Sequence, residues 1–273
     1  LAWIAQQAAL EVHVPQWRFE NGKPGPATRL VFDLDPGEGV ALPMLAEVAR
    51  AIRDLLADIG LTSFPVTSGS RGLHVYATLD RPVSSPGAVA VARRVADQLE
   101  RDMPGRVTAT MAKSVRAGRV FVDWSQNNAA KTTCSPYSLR GRRQPTVAAP
   151  RTWAELDDPA LGQLRYDEVL ARAVRDGDLL AALDDRLHRY RSRRNPAQTP
   201  EPAASVGPSG GDAVFVIQEH HARRLHYDFR LARDGVLLSW AVPKNLPDTP
   251  SVNHLAVRTE DHPLEYATFE GTI

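Results

Sequence analysis

Asp33 and Asp35 stand one residue apart in Arg29-Leu-Val-Phe-Asp33-Leu-Asp35-Pro36-Gly37. Leu30-Val31-Phe32 reads as a buried strand, and Pro36-Gly37 as the turn that ends it. Residues i and i+2 of a strand face the same side, so the two carboxylates project together. Carboxylates so placed repel each other unless a cation lies between them. Hard oxygen ligands suit Mg²⁺ or Mn²⁺, the ions that serve phosphoryl transfer. Alone, the motif fits a strand-end turn with Asp as a cap equally well.

Three further stretches bear on that choice. In Pro65-Val-Thr-Ser68-Gly-Ser70-Arg71-Gly72-Leu-His74-Val-Tyr76 a strand enters a Ser/Gly loop and a second strand, Leu73 to Ala77, leaves it. Small residues let backbone N–H groups approach phosphate oxygens, and Arg71 adds a charge-assisted donor. By itself this could be an ordinary hairpin. In Arg116-Ala-Gly-Arg119-Val-Phe-Val-Asp123-Trp124 an apolar strand again delivers an aspartate, a natural third ligand for a metal pair. Lys131-Thr-Thr-Cys134-Ser-Pro-Tyr-Ser-Leu-Arg140-Gly-Arg142-Arg143 carries four cations and no acid. It reads as a solvated turn or, beside the other motifs, as a contact for an anionic partner.

The second half has a different signature. From Leu225 the pattern alternates through His226, Asp228 and Arg230, which share one strand face, with His220 on the preceding strand. Two histidines and an aspartate so gathered make a transition-metal site, and Arg230 could hold a phosphate beside it. The same pattern fits the polar outer face of a hairpin. Ser239-Trp-Ala-Val-Pro-Lys244 and Glu260-Asp-His262-Pro-Leu-Glu-Tyr266 supply further candidates.

Taken together, FDLDP, SGSRGLHVY, VFVDW and YSLRG resemble the polymerase domain of bacterial ATP-dependent DNA ligase D, within the archaeo-eukaryotic primase superfamily. The resemblance implies that Asp33, Asp35 and Asp123 are catalytic and hold two Mn²⁺ or Mg²⁺ ions. It implies that Ser68, Arg71 and His74 lie along the path of an NTP or dNTP. Arg116 and Arg140 would contact phosphates, and His13 would line the nucleotide site. Arg71 departs from the lysine more usual there, replacing a point charge by a fork. HHARRLHYDFRL, SWAVPK and EDHPLEYATFEG resemble the phosphoesterase domain of the same proteins. That implies an Mn²⁺ site of His220, His226 and Asp228. Arg230, His262 and Tyr266 would act on the scissile phosphate, with Lys244 close by, and Arg194 and Glu201 match functional positions upstream. Asn195 replaces the usual Asp, and His254 a frequent Arg; neither is carried over as catalytic. The implied function is DNA end processing in bacterial non-homologous end joining. One part would add nucleotides, preferably ribonucleotides, to a primer 3′-OH, and the other would trim 3′-phosphates or 3′-ribonucleotides. The implied partners are DNA ends with 3′ overhangs or gaps, the Ku end-binding protein and a ligase domain. ATP would serve only that ligase domain, whose lysine nucleophile motif has no counterpart here. The competing readings are a stand-alone metal nuclease or phosphatase, and an inert DNA-end scaffold.

Composition fits two domains. The 273 residues suffice for two cores, and the net charge of +1 argues against indiscriminate coating of nucleic acid. A single cysteine, Cys134, suits a reducing compartment, and no apolar stretch is long enough to span a membrane. With no charged-then-apolar leader, a cytoplasmic, nucleoid-associated bacterial protein without membrane contact is expected. Arg186, His188, Arg189, Arg191, Arg193 and Arg194 form a basic run expected to meet the DNA backbone.

These residues need a scaffold. The expected fold is an α/β (α+β) primase-polymerase-like domain with a mixed central sheet over residues 1–187. A basic arm and flexible linker over 188–212 and an incomplete, mainly-β barrel over 213–273 should follow. Leu1 to Ala9 reads as helical, Leu10 to Val14 as a strand, Asn21 to Thr28 as a loop and Leu42 to Ile59 as an amphipathic helix. Ser85 should cap a second helix running to about Arg101, with Pro86 at its first position. Arg119 to Asp123 should complete a sheet with helices on one side, and Pro150 to Leu187 reads as mostly helical. Pro196 to Asp212 reads as flexible and the pattern from Ala213 as β. Both ends are expected to be cut from a longer protein, with roughly a third of the polymerase domain before Leu1 and further barrel strands beyond Ile273.

Overall fold

The strand that carries the aspartates organises the first unit. In the computed structural model it runs from Lys23 to Pro36 (β3). Its alternation divides the sheet: Leu30, Phe32 and Leu34 are fully buried on one face, while Val31, Asp33 and Asp35 take the other. Strand β1 (His13–Val14) and β2 (Trp17–Glu20) precede it. The helix Leu42–Asp58 (α1) follows, burying Leu45, Val48, Ile52 and Leu56, an i, i+3, i+4 stripe. Next come β4 (Ser63–Thr67), β5 (Leu73–Val83) and the helix Ser85–Asp102 (α2). Helix α2 buries Ala88, Ala92, Val95 and Leu99 against the same sheet face. Its cap is Ser84 rather than Ser85, with the Ser84 hydroxyl accepting from the Gly87 amide at 3.3 Å. The remaining elements are β6 (Val107–Thr108), β7 (Val120–Asp123), β8 (Thr133–Cys134), β9 (Leu139–Arg140), β10 (Thr146–Val147), β11 (Ala149–Pro150) and the helix Tyr166–Asp176 (α3).

The central sheet has the order β11-β4-β5-β3-β7-β6, with β2 added to β3. Its pairs are antiparallel except β6–β7, so the sheet is mixed as expected. Of the loop expected over Asn21–Thr28, Asn21 lies outside the described residues and Lys23–Thr28 is instead the start of β3, paired with β2 across a register shift between Trp17 and Phe19. The strand expected over Leu10–Val14 is confined to His13–Val14. The helical region expected over Pro150–Leu187 holds only α3 and short 3₁₀ turns at Ala154–Asp157 and Ala181–Leu183 among the described residues.

The structure describes residues 6–20, 22–183, 185–187, 190–191, 193–195, 198–204, 214–233, 235–249 and 251–273. Most of the helix expected over Leu1–Ala9, much of the expected linker, and His188 and Arg189 lie outside these.

The chain divides into two compact units, Leu1–Asp184 and Asp185–Ile273. The second is built on β12 (Phe215–His221), β13 (Leu225–Arg233), β14 (Val236–Val242), β15 (Val257–Arg258) and β16 (His262–Pro263). The order is β12-β13-β14-β15, with β16 also on β14, and every pair is antiparallel. These strands form an open sheet and close no barrel. Leu187 and Tyr190 are buried with Ala232, Val236, Leu237 and Tyr266. Part of the expected arm therefore belongs to this core.

One ion cluster of the first unit sets a pH-dependent stability. Glu155 accepts a forked pair from Arg172 at 2.6 and 2.8 Å, one bond from Arg151 at 3.2 Å and one from the Thr152 amide at 2.8 Å. Burial pushes the Glu155 carboxyl up, but these donors outweigh it and hold it at about 2. A lowered folded-state value means stability present above the unfolded value and lost as pH falls from there toward about 2. Glu155→Gln is expected to lower unfolding free energy by about 1–3 kcal/mol at pH 7. In urea titrations the gap to wild type should narrow steadily below pH 4; a gap unchanged at pH 3 would refute the assignment.

Candidate functional site

In the first unit the strand register gathers the acids. Asp33 of β3 lies directly opposite Asp123 of β7 on one side and His74 of β5 on the other. Directly opposed residues share a face, so all three project from the side of the sheet away from α1 and α2, with Asp35 two positions along. Asp123 is buried and clamped. Its Oδ1 accepts from the Ser125 amide at 2.9 Å and the Ser125 hydroxyl at 2.5 Å, and its Oδ2 from Gln126 at 3.0 Å. Lys131 Nζ is 3.8 Å from Asp123 Oδ2. Asn127 bonds the Val31 amide and carbonyl at 2.9 and 2.7 Å, so a side chain takes the place of a neighbouring strand beside Asp33.

Burial, then the facing Asp123, pushes the Asp33 carboxyl well above the usual range. Burial, then Asp33 and Asp123, does the same to Asp35. His74 Nε2 is 3.4 Å from Asp33 Oδ1. Burial and the Arg140 charge lower His74 to about 4, so its ring is neutral at physiological pH.

Close backbone approach shapes the rim. The Gly37 amide donates to the Arg119 carbonyl at 2.9 Å, and a Cβ at Gly37 would lie 1.7 Å from the Arg116 carbonyl oxygen. The Pro36-Gly37 signal thus marks a contact as well as a turn. Arg116 lies over the Phe121 ring, 3.5 Å from its centroid, and donates to the Met111 carbonyl. Arg140 Nε is 3.6 Å from Glu11, and His13 is 3.5 Å from the same carboxylate. Glu11 also accepts from the Gly141 amide at 2.9 Å; nothing in its local sequence sets it apart as the residue joining two distant site residues. Ser68 is buried in the loop between β4 and β5, and Arg71 is exposed at its tip. The loop amides expected to meet phosphate are largely engaged within the protein. Those of Ser70 and Gly72 donate to Ser68 Oγ at 3.2 and 3.1 Å, and that of Gly69 to Gln163 at 2.7 Å.

In the second unit His220 of β12 faces His226 of β13, and Gln218 faces Asp228. His220 Nδ1 is 3.5 Å and His226 Nε2 3.7 Å from the Asp228 carboxylate. Among the described residues, these three form the one set of three candidate metal ligands whose ligand atoms all lie within 4.8 Å of one another. The aspartates of the first unit share a face but are not so tightly gathered. His226 Nδ1 sits 3.0 Å from the Arg224 carbonyl, which fixes the ring and leaves Nε2 toward Asp228.

Arg230 is buried beside this set. Its guanidinium reaches Asp228 at 2.9 Å, Gln218 at 2.7 Å, Ser239 at 2.8 Å and His262 Nδ1 at 2.9 Å. Burial and the Arg230 charge lower His262 to about 3, so its ring is neutral. Its Nδ1 lies 2.9 Å from both Arg230 and the Glu260 carbonyl oxygen and 3.2 Å from the Ser239 hydroxyl, so that nitrogen is engaged within the protein. Tyr266 donates to Glu201 at 2.8 Å, and burial and that bond push its hydroxyl up. Arg194 donates to Glu201 at 2.8 Å and to Glu260 at 3.1 Å. A cleft of about 570 Å³ opens over His220, His226, Asp228, Arg230, His262 and Tyr266.

Lys244 departs from expectation: it is exposed in the turn after β14 and does not line the cleft, because β14 ends two residues earlier. His254 is exposed, with Nδ1 2.6 Å from the Asn245 carbonyl. Among the described residues of the basic run, each arginine has a carboxylate partner. Arg186 pairs with Asp261, Arg191 with Asp185, Arg193 with Glu260, and Arg194 with Glu201. Gln218 escaped sequence reasoning, and Ser239 and Glu260 stood in the quoted motifs without a role.

Comparison with known proteins follows these two sites. The LigD primase-polymerase domain profile matches residues 1–180, and the DNA ligase D 3′-phosphoesterase domain profile matches residues 218–273. The multifunctional non-homologous end joining protein LigD of Mycobacterium bovis is 72% identical over all of this chain, which spans 38% of that relative. The bifunctional non-homologous end joining protein LigD of Bacillus subtilis is 31% identical over 65% of this chain and 29% of its own length. A solved polymerase domain from Mycobacterium tuberculosis Ligase D, in complex with DNA, is 74% identical with a TM-score of 0.65. That match covers 67% of this chain and 66% of that one. No helix among the described residues is long and apolar enough to cross a membrane.

Proposed function

Since the chain belongs to the LigD family of non-homologous end joining proteins, with its primase-polymerase and 3′-phosphoesterase domains, we propose that it extends and trims broken DNA ends at two separate sites. The observation that carries the first activity is the cross-strand row Asp33–Asp123 with Asp35 beside it, on one sheet face. Nucleotidyl transfer in this family is metal-dependent. The residues here fit Mg²⁺ or Mn²⁺: three carboxylates crowd one surface, and two of them are held above their usual range by burial and mutual repulsion. When bound, a pair of such ions would lower the pKa of a primer 3′-OH and neutralise the leaving pyrophosphate. The chain's own groups do the rest. Arg71, Arg116 and Arg140 supply cationic donors for phosphates, and His13 and the neutral ring of His74 border the nucleotide. Ser68 Oγ accepts two amides and keeps its own proton to donate.

In the second unit His220, His226 and Asp228 fit Mn²⁺ by ligand type and mutual distance. Arg230 offers a fixed guanidinium to a 3′-phosphate. His262 lines the same cleft as a neutral ring held at Nδ1 by the protein, a contact for a phosphate oxygen beside Arg230. Arg194 and Glu201 orient Tyr266. The substrates on this reading are ribonucleoside triphosphates in preference to deoxynucleotides, and DNA with 3′ overhangs or gaps. Ku and a ligase domain are its partners.

The test uses the chain with Mn²⁺, a primer-template with a 5′ overhang, and ribonucleotides. Template-directed extension that chelation stops is the expected result. Shortening of a 3′-phosphate or 3′-ribonucleotide primer with no extension at all would leave only the phosphoesterase part standing.

A further inference from the structure

The loop Ser68–Gly72 is held by a residue far from it in sequence. Gln163 accepts from the Gly69 amide through Oε1 at 2.7 Å and donates through Nε2 to the Gly72 carbonyl at 3.0 Å. One carboxamide thus bridges the two glycines that flank Ser70 and Arg71. Gln163 is itself fixed on both sides. The Gly162 carbonyl accepts from Arg151, whose Nε lies 3.4 Å from the Thr67 hydroxyl at the end of β4. The Leu164 carbonyl accepts from the Val147 amide at 3.0 Å. Thr146, next to Val147, donates to the Gly69 carbonyl. Gly69 has a φ of 71°, and a Cβ there would meet the Val147 carbonyl at 2.7 Å, so the loop lies against β10 with no room to shift.

The amides of Ser68, Gly69, Ser70 and Gly72 all have acceptors inside the protein. Among the described residues the Arg71 amide has none, and the Arg71 side chain is exposed. The tip therefore offers an anion the Arg71 amide and guanidinium and the Ser68 hydroxyl proton, with Arg142 donating to the Ser70 hydroxyl beside them. Their mutual placement depends on the bridge beneath them. We propose that Gln163 is a positioning residue for the triphosphate of the incoming nucleotide, acting through Arg71 and Ser68 without touching the substrate. The proposal rests on the nucleotidyl-transfer reading. It predicts an effect that grows with phosphate number, because the loop would meet the phosphates and not the base or sugar.

In the whole chain, Gln163→Ala should raise KM for a ribonucleoside triphosphate about 10-fold, the loss expected from two hydrogen bonds. Its kcat should stay within about 2-fold. Binding of the corresponding monophosphate should be unchanged. Gln163→Glu keeps the acceptor for Gly69, loses the donor to Gly72 and adds a negative charge, so it should not restore KM. If Gln163→Ala melts early, Thr146→Val removes the parallel tie to Gly69 and should raise the same KM, with Thr146→Ser restoring it. An unchanged triphosphate KM in folded variants overturns the proposal, as does equal weakening of mono- and triphosphate. A wild-type chain that incorporates no nucleotide overturns the underlying reading and the proposal with it.

Discussion

Asp33→Asn should cut nucleotide addition at least about 100-fold, since outer-sphere partners of metal ligands alone cost 10–100-fold when lost. The same change should stabilise the cation-free protein. The Asp33 carboxyl is pushed above its usual range by burial and by Asp123, so ionising it opposes folding. For an acid with a raised folded-state value, that penalty is absent below the unfolded value and grows as pH rises toward the folded one. The amide removes the charge and with it the penalty. In chelator, Asp33→Asn should therefore melt higher than wild type at pH 8 and no higher at pH 4. Added Mn²⁺ should raise the wild-type melting temperature more than that of the variant. Near-normal incorporation by the variant would sink the assignment of Asp33 as a ligand. A lower melting temperature at pH 8 would show that the acid is held by partners and not merely crowded.

His226→Ala should reduce removal of 3′-phosphates and 3′-ribonucleotides by at least about 100-fold, on the same reasoning. Nucleotide addition should survive, because Asp33, Asp35 and Asp123 lie in the other compact unit. Its cost to stability should be small, within about 1 kcal/mol, because the ring is partly exposed and packs chiefly against His220. Parallel primer-extension and end-trimming assays on one preparation decide the matter. If both activities fell together, the sites would not be independent; if trimming persisted, the His220, His226 and Asp228 set would not be the phosphoesterase centre.

Much of this was legible because periodicity is local. The spacing of Asp33 and Asp35 gave their shared face, and the apolar stripe of Leu45, Val48, Ile52 and Leu56 gave α1 almost to the residue. The alternation after Leu225 likewise put His226, Asp228 and Arg230 on one face. What stayed hidden depends on pairing across long stretches of chain. Nothing near Asn127 says that its amide will complete β3, 96 residues away. Gln163 is equally plain in its own surroundings. The loop expected over Asn21 to Thr28 holds Pro24-Gly25-Pro26, which lie in β3. That run forms a strand because prolines are tolerated on weakly paired strand segments, and because Gly25 lets the Arg18 carbonyl approach to within 2.7 Å of where a Cβ would stand. The pairing of the basic run was hidden for an electrostatic reason: sequence shows cations but not the carboxylates of Asp261 and Glu260 that meet Arg186 and Arg193.

The seating of Leu187, Tyr190, Arg194 and Glu201 within the second unit bears on where that unit can be separated from its surroundings. The 3′-phosphoesterase domain profile begins to match at residue 218, yet the compact unit begins at Asp185. A recombinant fragment drawn at the edge of the recognisable motif would leave behind two core side chains and both partners of the Tyr266 hydroxyl network. The portable module, the piece that could be grafted onto another protein and still present this centre, therefore starts some thirty residues before its most recognisable motif.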